Sequence, residues 1–159
     1  MIHIENLSLT EQIYSHKDKT GKEYTIAIQR LRQKLQKRDP QKIAVNTELA
    51  TEFAKFAGLE QHRLRALVEL TDAEFDSLLP AVVLWFKDNT WVMADGNHQY
   101  VVAFMRGRTE IPALIAQRQD WTPFIVKGAR PKYESFSGIV KSPAERKSHD
   151  RVPETFAKT

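Results

Sequence analysis

The sequence predicts an α/β (α+β) single domain in which helices pack on a small mixed sheet. Three observations carry that prediction. Residues 81–86 (AVVLWF) form a continuous apolar run of strand length, as a strand covered on both faces requires. Residues 90–94 and 111–116 are two further short apolar runs, separated by a stretch with helical spacing. The first half carries apolar residues three and four apart, as helices lying on a core require. A chain of 159 residues with 42% apolar and 28% charged residues suits one core and an ordinary globular composition.

Taken in order, the alternation of Ile2, Ile4 and Leu7 suggests a short first strand. Residues 15–23 (SHKDKTGKE) are polar, contain Gly21 and read as a loop. Tyr24, Ile28, Leu31 and Leu35 then fall at helical spacing, and Asp39-Pro40 closes that helix. A short strand is expected over 42–45. Asn46 or Thr47 caps a helix running to about Ala57, where Gly58 is a natural terminator. Residues 61–70 read as another helix. Thr71-Asp72-Ala73-Glu74 has the form of a capping box.

In the second half, Lys87-Asp88-Asn89 is turn chemistry between two strands, and Asp95-Gly96-Asn97-His98 is a second break. A helix is expected over 97–106, ended by Gly107. A strand follows over 111–116, and a fourth can lie within 121–126. The domain is placed at 1–127. Residues 128–159, with Pro131, Pro143 and Pro153, read as a basic extended or disordered tail.

The chain has no cysteine, which excludes a disulfide scaffold, a thiolate zinc site and a thiol nucleophile. No apolar run approaches the roughly 18–20 residues of a membrane span. No secretory leader is read at the N-terminus, so the expected compartment is the cytoplasm. Net charge is +4, unevenly spread: residues 127–159 hold eight basic against four acidic side chains, and 17–42 hold nine against three. Such stretches can meet a phosphate backbone through counterion release. Arg30, Lys34, Lys37 and Arg38 are then the candidate nucleic-acid contacts, together with the tail. The plainer reading is a solvated helix face.

Residues 94–115 (ADGNHQYVVAFMRGRTEIPALI) carry a distinctive order: strand, Asp-Gly-Asn-His-Gln, short helix, Arg-Gly, then a strand of the Ile-Pro-Ala-Leu-Ile kind. This string resembles the core of the ParB/sulfiredoxin-like superfamily, where a strand leads into Asp-Gly-x-His-Arg or Gly-x-x-Arg and a small-residue helix. The likeness spans about 35 residues, 81–116. It implies a ParB/sulfiredoxin-like fold and a nucleotide, with Mg²⁺, whose phosphates rest at the start of the helix. NTP hydrolysis or phosphoryl transfer is the activity that would go with it. The superfamily holds partition-type CTPases, ATP-using sulfiredoxins, a free-serine kinase and many small phage and plasmid proteins. The last group is the nearest in kind.

The resemblance assigns Gly96, Asn97, His98 and Gln99 to phosphate binding, with Arg63 as a helper from another element. His98 and Asp95 are the catalytic candidates. The physical reason is that Gly96 permits a sharp turn and the free N–H groups after it attract an anion. Gln99 departs from the pattern: it stands where Arg is usual and removes a fixed positive charge. Sulfiredoxin chemistry is excluded because the required cysteine is missing. Full partition function is not expected, since too little chain follows for DNA-binding and dimerisation domains.

Each candidate has a plainer alternative. His98 can simply bond to nearby backbone, Asp95 can cap the turn, and His62-Arg63 can be a polar helix face. A metal site from His62, Asp95 and His98 lacks supporting spacing, and no metal is assigned. Trp85, Trp91 and Trp121 fit core packing better than base stacking. The alternatives to a nucleotide protein are a non-enzymatic nucleic-acid-binding module and a degenerate interaction scaffold.

Overall fold

The computed structural model describes residues 2–8, 11–17, 20–86 and 91–128. The expected turn at Lys87-Asp88-Asn89 and the expected tail from residue 129 onward lie outside the described residues. The elements in order are β1 (Ile2–His3), β2 (Ile13–Lys17), β3 (Glu23–Ala27), α1 (Ile28–Leu35), β4 (Gln41–Ala44), α2 (Thr47–Phe56), α3 (Gln61–Val68) and α4 (Asp72–Asp76). Then come β5 (Ala81–Trp85), β6 (Trp91–Asp95), α5 (Asn97–Met105), β7 (Glu110–Ala116), α6 (Arg118–Trp121) and β8 (Val126–Lys127).

The main sheet has the order β4-β7-β5-β6 and is mixed: β5 and β7 run parallel, while β4–β7 and β5–β6 run antiparallel. The apolar run of β5 is explained by its position, because both of its faces are covered. Ala81 and Val83 pack with Met93, Phe53, Phe75 and Tyr100 beneath α2, α4 and α5. Val82 and Leu84 pack with Leu31, Leu35, Tyr24 and Trp121 on the opposite face. A β-bulge interrupts the β5–β6 register, with Val82 opposite Asp95 and Val83 opposite Met93. The bulge re-aims the last residues of β6 just before the turn into α5.

The capping signals of the first half hold. The Asn46 side-chain oxygen accepts from the Leu49 N–H at 2.8 Å, and Thr71 with Glu74 forms the expected capping box. The Tyr100 hydroxyl ties α5 to the β4–α2 connection. It donates to the Ala44 carbonyl at 2.8 Å and accepts from the Asn46 N–H at 3.0 Å. Burial pushes its acidity down, to a pKa of about 12.

Four expectations are corrected. Residues 15–17 and Glu23 belong to strands, not a loop: β2 and β3 form an antiparallel hairpin with Gly21 in the left-handed region at φ 89°. Its polar residues are paired across the ladder, Ser15 with Thr25 at 3.0 Å, and His16 is buried 5.1 Å from the Phe86 ring. The helix begins at Ile28 rather than Tyr24, since Tyr24 and Ile26 are strand residues whose alternation runs straight into the helical period. The first strand is only two residues long, and Ile4 opens a 3₁₀ turn. Trp121 lies in a helix, not a strand. Asp120 accepts from the Gln117 N–H at 2.9 Å and shapes a single turn, and Pro123 follows in a 3₁₀ turn, leaving only β8 extended.

Candidate functional site

The turn between β6 and α5 depends on Gly96. Its φ is 107° and ψ 13°, where side chains are strained. A Cβ there would stand 2.6 Å from the Ala81 Cβ and 3.0 Å from the Ala81 Cα. Glycine therefore lets the turn lie directly on the start of β5. Gly96 is also the residue that caps α5, and it has no side chain to satisfy the first turn. Among the described residues, the backbone N–H groups of Asn97, His98 and Gln99 meet no acceptor, while the Tyr100 N–H closes the first helical bond to the Gly96 carbonyl at 2.9 Å.

His98 lies one turn from a second helix start. The Glu60 N–H, at the cap of α3, donates to His98 Nε2 at 2.9 Å. That bond occupies the lone pair a general base would use, and it places the ring proton on Nδ1. Burial first, and then the nearby Arg63 guanidinium, lower the pKa of the imidazole below its ordinary value, against the pull of Glu60 and Asp95. His98 is thus a neutral hydrogen-bond donor between two helix N-termini. Arg63, exposed on α3, faces the same place from another element, and His62 sits 3.2 Å from the Glu60 carboxylate.

Asp95 is engaged elsewhere. Its Oδ2 accepts from Arg32 Nη2 at 2.6 Å, and Arg32 Nη1 donates to the Pro80 carbonyl at 2.6 Å. Gln99 is buried at 8% exposure, its Oε1 turned toward Gly96 (3.7 Å from where a Cβ would stand), and so does not reach outward as the expected Arg would. Asn97 is 7% exposed. Its Nδ2 approaches the Met93 carbonyl at 3.4 Å, and its buried Oδ1 has no partner among the described residues.

The alternative nucleic-acid residues do not form a free cationic face. Arg30 pairs with Glu11 at 2.6 Å, Arg38 grips Asp120 with both terminal nitrogens, and Lys34 lies 5.8 Å above the Phe124 ring. Lys37 is exposed. Arg106 and Arg108 serve the opposite end of α5. Arg106 donates to the Leu70 carbonyl at 2.8 Å and to Asp72, and Arg108 pairs with Asp72 and Asp76. Trp91 and Trp121 are core residues, with Trp121 Nε1 donating to the Trp85 carbonyl at 3.1 Å. Among the described residues, no group of three His, Asp or Glu side chains is disposed to hold a metal ion, and no helix is long and apolar enough to cross a membrane.

Sequence reasoning missed Arg32 and Glu60. Arg32 is separated from Asp95 by 63 residues and reaches it round the end of the sheet, a proximity no local pattern encodes. Glu60 acts through its backbone N–H, so its residue type leaves no signal.

The state of His98 has a measurable consequence. Its pKa in the folded chain is lowered, so the unfolded chain binds more protons once pH drops below the ordinary histidine value. Stability from this group is then full above that value and is lost as pH falls. Lowering pH from about 7.5 to about 5 is expected to reduce the thermal midpoint of the native chain more than that of His98→Gln, whose amide oxygen can accept the same N–H without titrating. Parallel curves for the two proteins would contradict the assignment.

No family model, curated protein or solved structure matches this chain.

Proposed function

We propose that this protein binds the phosphate groups of a nucleotide at the N-terminus of α5, as a small domain of the ParB/sulfiredoxin-like type. The observation that carries the reading is the convergence of two helix starts on His98. The α5 turn offers three N–H groups unpaired among the described residues, and the α3 cap donates to the back of the same imidazole. Two positive dipole ends, the Nδ1–H of His98 and the Arg63 charge favour an anion there. Glycine at 96 lets this turn rest directly on Ala81, which fixes the start of α5 against the central strand. Binding is the chemistry these groups support best. His98 acts as a donor rather than a base, Asp95 is held by Arg32, and any Mg²⁺ arrives with the nucleotide.

Thermal unfolding with ATP, CTP, GTP and their diphosphates, with and without Mg²⁺, tests this. A nucleotide at about 100 times its Kd should stabilise the chain by roughly 2.7 kcal/mol, a rise of several degrees. The rise should shrink strongly in Arg63→Ala and in His98→Ala. A flat response to every nucleotide would contradict the reading.

A further inference from the structure

We propose that Arg32 is the positioning residue of this phosphate site: acting through Asp95, it supplies the neutralising charge that Gln99 does not. The inference rests on the phosphate reading above and names a residue that reading does not use. Asp95 ends β6 and immediately precedes Gly96, and its negative charge acts on the His98 imidazole at the proposed site. Left alone it would repel a phosphate there. The Arg32 guanidinium meets it at 2.6 Å, with the two side chains only 18% and 29% exposed.

The same guanidinium also holds the Pro80 carbonyl at 2.6 Å. Pro80 leads into Ala81, the residue on which Gly96 rests. One planar fork therefore spans both strand ends that frame the turn, and it comes from α1, on the opposite face of the sheet from α5. The pair is neutral as a unit. Removing its cation leaves a negative charge beside the site, and removing its anion leaves a positive one.

That asymmetry separates a charge role from a merely structural one. A structural clamp predicts that either substitution loosens the turn and weakens binding. The charge role predicts opposite signs. Calorimetric titration with Mg²⁺-free inorganic pyrophosphate and with ATP, at low salt, reads the difference in the native chain, Arg32→Met, Arg32→Lys and Asp95→Asn. Asp95→Asn should tighten pyrophosphate binding by at least about threefold, and Arg32→Met should weaken it by as much. Arg32→Lys should stay within about twofold of the native chain, and all these differences should contract as salt rises. Where Arg32→Met does not fold, the sign of the Asp95→Asn effect decides alone. Weaker binding by Asp95→Asn, with the native chain binding normally, overturns this inference and leaves the phosphate reading standing. A native chain that binds neither probe overturns both.

Discussion

Gly96→Ala is expected to unfold the β6–α5 turn and to abolish nucleotide binding with it. Two penalties act at once. The backbone at φ 107° lies where an L side chain is strained by about 1–2 kcal/mol. The new methyl group also meets Ala81 at 2.6 Å on its Cβ and 3.0 Å on its Cα. The second contact is backbone of the central strand, which cannot swing away as a flexible side chain would. Overpacking of this kind costs about 1–3 kcal/mol. The combined loss of about 2–5 kcal/mol should lower the thermal midpoint by roughly 10 °C. Differential scanning calorimetry checks it, and a midpoint within a degree or two of the native chain would show that the turn tolerates a side chain.

Trp121→Ala is expected to cost as much stability while leaving the site intact. Trp121 is fully buried on the face of the sheet away from α5. It packs edge-on to Tyr24 at 5.4 Å and against Phe86 at 5.1 Å, and its indole N–H is bonded to Trp85. Truncating a buried tryptophan typically costs about 3–5 kcal/mol. Because the cavity opens on the opposite face, the fraction that remains folded should bind nucleotide with unchanged affinity. Chemical denaturation paired with titration at a temperature where the variant is folded reads both quantities. A loss of affinity would mean that the two faces of the sheet are coupled.

The contrast between these residues also shows what the sequence makes legible. The β5 run, the capping box at Thr71, the N-cap at Asn46 and the helix from Asn97 are local patterns, and the structure has them within a residue or two. The β2–β3 hairpin is masked because the polar stretch 15–23 separates its apolar residues, although Tyr14, Tyr24 and Ile26 pack into the core. The one-turn helix at Trp121 was hidden because Asp120 and Arg38 shape it, and Arg38 lies 82 residues away. Arg38 holds the Asp120 carboxyl below its usual range, so this remote pair is a charge interaction and not a sequence signal.

The candidate site divides in the same way. Gly96 and the free amides after it can be read from Asp-Gly followed by a helix. The use of His98 as an acceptor for the α3 cap, and of Arg32 as the partner of Asp95, arises from packing. Three of the four candidate nucleic-acid contacts illustrate the reverse. Arg30, Lys34, Lys37 and Arg38 look like a basic stripe in sequence, yet Arg30 and Arg38 are held by carboxylates and Lys34 lies against an aromatic ring. Charge density along a chain does not reveal which charges are already paired.

The central claim is that phosphate groups rest on the backbone amides at the start of α5. A nitrogen–proton correlation spectrum of the labelled chain, titrated with ATP and with inorganic pyrophosphate, tests it at the atoms concerned. The account predicts saturable shifts concentrated on the amides of Asn97, His98 and Gln99, with smaller ones at Glu60 and Arg63, and little change along α1. Saturable shifts along α1 with those three amides unmoved would place the ligand elsewhere and contradict the account.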